Sequence, residues 1–175
     1  MKVYLIGMPA CGKTTIGKYL AEKTNATFID LDEYIVAKER ASIAQLFQEK
    51  GEAYFREIEH TCLKEIIETK PRSIVALGGG TPCFYNNLNF ICISGTVFYL
   101  HAAAETIFLR IKQQGTERPL FFNLSDGELK EKIDLLLQQR EVYYVQAHHH
   151  INTLHKPVDA IIEEINKLLN YEGKT

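Results

Sequence analysis

Residues 7–14 read GMPACGKT, a glycine and, after four residues, a second glycine followed by lysine and threonine, which satisfies GxxxxGK[ST]. Residues 2–6 ahead of it form a short β-rich apolar run, and residues 15–23 behind it carry Ile16, Tyr19 and Leu20 at helical spacing. The motif therefore sits between a strand and a helix. Glycines there let successive amides point at phosphate oxygens, and the helix N-terminus adds partial positive charge. Lys13 reaches the β and γ phosphates, and the Thr14 hydroxyl is placed to ligate Mg²⁺. Gly7, Ala10, Cys11, Gly12, Lys13, Thr14 and Thr15 are accordingly candidate contacts to a nucleoside triphosphate. The alternative, a glycine turn that merely starts a helix, is disfavoured by the flanks.

Asp30 ends a second strand candidate and Asp32 follows two residues later, which places both carboxylates at the sheet edge beside the phosphate loop. A carboxylate there can hold a magnesium-bound water or accept a hydrogen bond from an attacking hydroxyl; alternatively, Asp32 caps a helix beginning at Glu33. Arg56 and Glu59 are three residues apart on one helix, with Glu52 also in reach of Arg56, so an exposed ion pair competes with a site role. Gly78, Gly79 and Gly80 follow a third strand, and three glycines let backbone approach a substrate or phosphate closely. Arg118 precedes Pro119 in the polar loop 114–127, the length of a lid, and can neutralise a transferring phosphoryl group. Arg140, on the helix after it, suits a forked grip on a carboxylate. His148, His149 and His150 invite a metal hypothesis, but in a strand only the outer two converge, and no site is assigned to them.

The elements that must position these groups alternate. Strands are expected at 2–6, 26–30, 73–77, 95–100 and 149–152, and helices at 15–23, 32–38, 42–48, 53–68, 103–113, 128–147 and 158–170. Such alternation predicts an α/β fold with a parallel sheet covered on both faces and ligands at the carboxyl ends of the strands. The 175 residues, with 46% apolar side chains, suffice for one core in one domain. A balance of 20 Lys+Arg against 22 Asp+Glu argues against nucleic acid, and no run approaches a bilayer span or a signal-peptide core. The expectation is a cytoplasmic protein whose four cysteines are reduced and mostly buried.

Taken in order, GMPACGKT, FIDLD at 28–32, GEAYFREIE at 51–59, ALGGGT at 76–81, RPL at 118–120 and Arg140 before Tyr143 resemble the shikimate kinase family over nearly the whole chain. The pairing of FRxxE with the triple glycine is far more specific than the phosphate loop. The resemblance implies a three-layer α/β/α P-loop kinase fold with a five-stranded parallel sheet in the order 2-3-1-4-5. It also implies ATP- and Mg²⁺-dependent phosphorylation of the shikimate 3-hydroxyl, on the route to chorismate and the aromatic amino acids. By position, Lys13, Asp32 and Arg118 would be catalytic, and Thr14 and Asp30 would hold the metal. Asp32, Arg56, Gly78, Gly79, Gly80 and Arg140 would hold shikimate, with Glu59 supporting Arg56. Arg110, Arg118, Lys156 and Pro157 would contact the nucleotide. The segment around 32–60 would bind shikimate, and 112–127 would form the lid. The partners expected are the small molecules ATP and shikimate, without nucleic acid or membrane, and the chain is expected to be a monomer. Three departures stand out: Ala10 for a third loop glycine, Asn152 for an Asp ending strand five, and Leu120-Phe121-Phe122 where leucines are usual. Two alternatives remain open: a P-loop kinase of another hydroxy acid such as gluconate, and a nucleotide-binding regulatory domain without turnover. Asp32, Arg56 and Arg140 argue against the latter.

Overall fold

Segments rich in Val, Ile, Leu and aromatic residues become the three central strands, as expected for chains buried on both faces, while the edge strands are more polar. In the computed structural model, which describes residues 1–114 and 119–172, these are β1 (Lys2–Ile6), β2 (Thr27–Asp30), β3 (Ser73–Ala76), β4 (Thr96–His101) and β5 (His149–Asn152). They hydrogen-bond in the order β2-β3-β1-β4-β5, every neighbouring pair parallel. Val3, Tyr4, Leu5 and Ile6 on the central strand are all fully buried, so both faces of the sheet are covered. The fold is the α/β P-loop kinase arrangement.

The covering helices are α1 (Lys13–Thr24), α2 (Leu31–Glu39), α3 (Ile43–Thr69), α4 (Asn87–Ser94), α5 (Ala104–Gln114), α6 (Asp126–Tyr144) and α7 (Val158–Glu172). Short 3₁₀ turns occupy Thr81–Cys83 and Pro119–Phe121. Most boundaries shift by one to three residues from the expected ones, and the larger differences have physical causes. Helix α6 starts at Asp126, two residues before the expected position, because Ser125 and Glu128 form a reciprocal capping box that Gly127 obscured in the sequence. The segments 42–48 and 53–68 are one helical run interrupted at Gly51, whose φ of 83° and ψ of 170° only glycine adopts readily. Helix α4 was not expected at all: NLNFICIS carries no helical period, and α4 instead lies over β4 and α3.

Because every strand runs the same way, the carboxyl ends of β1, β2, β3 and β5 place the phosphate loop, Asp30, the glycine triplet and Thr153 along one edge. Among the described residues, no helix is long and apolar enough to cross a membrane, and no group of His, Cys, Asp and Glu is arranged to hold a metal by itself. His148 instead accepts a hydrogen bond from the Val97 amide through Nδ1 at 3.0 Å. All four cysteines are free, Cys11 and Cys62 buried and Cys83 and Cys92 half-buried.

Candidate active site

Two cavities open along that edge. The first, of about 530 Å³, is lined by Ala10, Cys11, Gly12, Lys13, Thr14 and Thr15 from the phosphate loop and the start of α1, by Asp30 and Asp32, by Gly78 and Gly79, and by Arg110, Thr153 and Lys156 on the far side. Lys13 is buried here, its ammonium donating to the Gly7 carbonyl at 2.9 Å and the Met8 carbonyl at 2.8 Å. Loop carbonyls thus hold the ammonium at the point a phosphate would claim. Ala10 has a φ of 61°, the left-handed region a glycine would occupy without strain, and its carbonyl accepts a hydrogen bond from Arg110 Nη1 at 3.1 Å.

The Thr14 hydroxyl donates to Asp30 Oδ2 at 2.8 Å, while Asp30 Oδ1 accepts from the amides of Asp32 at 3.1 Å and Glu33 at 3.5 Å. Asp30 is therefore the N-cap of α2, and Asp32, inside the first turn, is spared that structural duty. Two hard oxygen donors so close together suit a small divalent cation that keeps its remaining positions for water and phosphate oxygens.

The second cavity, about 440 Å³, shares Thr14, Asp30, Asp32, Gly78 and Gly79 with the first and extends toward α3. Its walls carry Arg56, Glu59, Gly80 and Arg140, with Pro9, Phe47, Phe55, Leu120 and Phe121 supplying apolar surface. Arg56 is 5% exposed; its Nη1 donates to Glu59 Oε2 at 2.9 Å, and its Nε and Nη2 donate to Glu52 Oε1 at 3.2 and 3.1 Å. The guanidinium also lies 4.4 Å from the Phe84 ring and 5.1 Å from Phe55. Glu59 is fully buried; desolvation pushes its carboxyl above the usual range, opposed by Arg56 and by the Thr81 hydroxyl. Arg140 is 7% exposed and its Nη1 is buried without a hydrogen-bond partner.

Side chains crowd all three positions of the glycine triplet: a Cβ on Gly78 would stand 3.0 Å from Glu59 Oε1 and from Thr81 Oγ1, and one on Gly79 would stand 2.8 Å from Pro9 Cδ. The Cβ on Gly79 would also stand 3.0 Å from Arg140 Nη1, and one on Gly80 would stand 2.8 Å from Arg56 Nη2. Tyr144, one turn after Arg140, donates its hydroxyl to the Gly79 carbonyl at 2.5 Å. Burial pushes that phenol far above its ordinary range, so it stays a donor.

The expected site residues thus converge, with three exceptions. Arg118 lies outside the described residues. Pro157 is exposed and does not line the nucleotide-side cavity, although its neighbour Lys156 does. Gly7 lies buried beneath the loop, where it offers its carbonyl to Lys13. Thr153, Phe84 and Tyr144 were not anticipated, because their roles depend on side chains brought from distant segments. Of these, only Tyr144 left a trace, four residues after Arg140 on the same helix.

A family model described as shikimate kinase matches residues 9–170. The chain belongs to the shikimate kinase family. A shikimate kinase of Flavobacterium johnsoniae is 35% identical over 169 residues, covering 96% of this chain and 98% of that one. Among solved structures, the shikimate kinase of Bacteroides thetaiotaomicron superposes with a TM-score of 0.91 at 34% identity, covering 97% of this chain and 98% of the other. The shikimate kinase of Acinetobacter baumannii in complex with shikimate gives 0.90 at 31% identity, covering 98% and 93%.

Proposed function

We propose that this chain transfers the γ-phosphoryl group of ATP to the 3-hydroxyl of shikimate. The observation that carries the reading is the buried, unpartnered Nη1 of Arg140 on the wall of a cavity that also contains Arg56. An isolated buried donor of this kind is unfavourable unless a ligand satisfies it. A compact ring bearing one carboxylate and several hydroxyls matches both the charge and the donor set.

In this reading ATP occupies the first cavity with its phosphates on Gly12, Lys13 and Thr14, its adenine toward Arg110 and Lys156, and its terminal phosphate at the junction of the two cavities. Lys13 exchanges the Gly7 and Met8 carbonyls for phosphate oxygens. Thr14 and Asp30 would hold Mg²⁺, which when bound supplies charge neutralisation on the phosphates. Asp32 accepts a hydrogen bond from the attacking hydroxyl and aims it; transfer through a loose transition state asks for positioning more than for proton removal. Arg56 and Arg140 grip shikimate, Glu59 fixes Arg56, and the backbone at 78–80 closes over the ring. Arg118, in the segment 112–127 that we assign as a lid, neutralises charge developing on the transferred group. The enzyme is taken to be cytoplasmic, from the absence of a signal-peptide core or bilayer-length run in the sequence, and to act as a monomer, as the family resemblance implies.

ADP release with ATP, Mg²⁺ and a panel containing shikimate, quinate and gluconate tests the assignment. Shikimate is expected to support the fastest turnover. Faster turnover with gluconate would overturn the choice of acceptor, and nucleotide binding without turnover on any member would favour a regulatory domain.

A further inference from the structure

Thr81, the residue after the glycine triplet, is fully buried and lines neither of the two cavities. Its hydroxyl donates to Glu59 Oε1 at 2.6 Å, the oxygen that Arg56 does not use. Its carbonyl accepts from Asn87 Nδ2 at 2.9 Å. Asn87 is also fully buried, at the first position of α4, and its Oδ1 lies 2.7 Å from His60 Nδ1. Because the Asn87 amide nitrogen is already donating to Thr81, its oxygen faces the imidazole, and His60 is the donor. His60 follows Glu59 on α3, so the chain of contacts returns to the helix from which it set out.

The result is a closed ring, Glu59 to Thr81 to Asn87 to His60, that ties α3 to the turn leaving β3. Both sides of the ring belong to the acceptor site: α3 carries Arg56, and the turn carries Gly78, Gly79 and Gly80. The turn is further fixed by the Thr81 amide donating to the Gly78 carbonyl at 3.1 Å. With only the Arg56 contact, the Glu59 carboxylate could turn about its last torsion away from Arg56 Nη1, leaving the guanidinium to the exposed Glu52 carboxylate and the rings around it. The Thr81 hydroxyl removes that freedom.

We propose that Thr81 and Asn87 are positioning residues for the acceptor: through Glu59 they hold the Arg56 guanidinium at the spacing from the glycine triplet that shikimate requires. The inference rests on the shikimate reading above, and wild-type turnover on shikimate checks that reading separately from the variants that check this one.

Steady-state kinetics and equilibrium shikimate binding of Thr81→Val, Thr81→Ser and Asn87→Leu decide the matter. A lost hydrogen bond to a buried charge acting through Arg56 should raise the KM and Kd for shikimate about tenfold in Thr81→Val, with kcat within about twofold and the KM for ATP unchanged. Thr81→Ser keeps the hydroxyl and should restore near-wild-type affinity. Asn87→Leu should shift shikimate affinity in the same direction as Thr81→Val, and by less. Should Thr81→Val not fold, Thr81→Ala, which removes the hydroxyl without adding bulk, serves in its place. Equal losses in Thr81→Ser and Thr81→Val would assign the effect to packing and overturn the proposal. So would unchanged shikimate affinity in a folded variant lacking the hydroxyl, or parallel rises in the KM for both substrates.

Discussion

Arg140 and Arg56 are both buried cations in one cavity, yet their surroundings differ, and the difference predicts different behaviour. Arg56 is held by two carboxylates and three aromatic rings, whereas Arg140 keeps a donor in reserve. Arg140→Ala should therefore raise the shikimate KM by thirtyfold or more with little change in kcat, the equivalent of at least ~2 kcal/mol of lost binding. Arg140→Lys should not restore it, because a point charge lacks the planar fork. Steady-state kinetics on the two variants would show it, and an effect confined to kcat would contradict the ground-state grip. Glu59 carries a pH signature. Desolvation raises its folded pKa above the unfolded value, so between those two values the folded protein holds more protons, and stability falls as pH rises through that window. Glu59→Gln cannot titrate. The wild-type-minus-variant difference in Tm should therefore decline as pH is raised upward from the ordinary glutamate range. A difference that grew with pH would mean that Arg56 and Thr81 outweigh the desolvation.

At the scale of elements, the interruption at Gly51 divides α3 into a first part and the segment that carries Arg56 and Glu59. A Cβ there would meet nothing within 4 Å, so the only obstacle to a side chain is the backbone conformation itself. Gly51→Ala should cost about 1–3 kcal/mol of stability, read as a lowered urea midpoint, and should raise the shikimate KM by re-aiming the segment that carries Arg56 and Glu59. Unchanged stability would show that the helix can straighten freely. β1, β3 and β4 were legible in the sequence because their apolar runs are continuous and bounded by Gly or Ser, and β1 falls at the expected residues; β5 does too, although His149–Asn152 carries one apolar residue only. That Lys13, Arg56 and Glu59 would be brought to one edge of the sheet was legible too, because phosphate-loop spacing and the FRxxE pairing are local patterns. What stayed hidden was built from contacts across the chain. The cap on α2 went to Asp30 because its side chain turns to the amides of Asp32 and Glu33 while still meeting Thr14. Helix α4 forms because its apolar residues meet β4 and α3, a tertiary effect with no periodic trace. The backbone at Ala10 adopts a glycine-like φ although the sequence offers alanine, which local preference alone opposes.

For the molecule as a whole, the parallel sheet gathers four strand ends on one edge and splits the space above them into a polar nucleotide side and an acceptor side that meet at Thr14, Asp30, Asp32, Gly78 and Gly79. The central claim is that the acceptor side is organised around a carboxylate, which Arg140 and Arg56 are held ready to receive. Comparison of shikimate with its carboxamide, in which the ring and hydroxyls are unchanged and only the charge is lost, measures that claim directly through kcat/KM at saturating ATP. Loss of two charge-assisted contacts predicts that the carboxamide is poorer by about a hundredfold or more, with most of the change in KM. Turnover of the carboxamide with a kcat/KM within a few-fold of shikimate would contradict the account, since the buried guanidiniums would then not be gripping the substrate carboxylate.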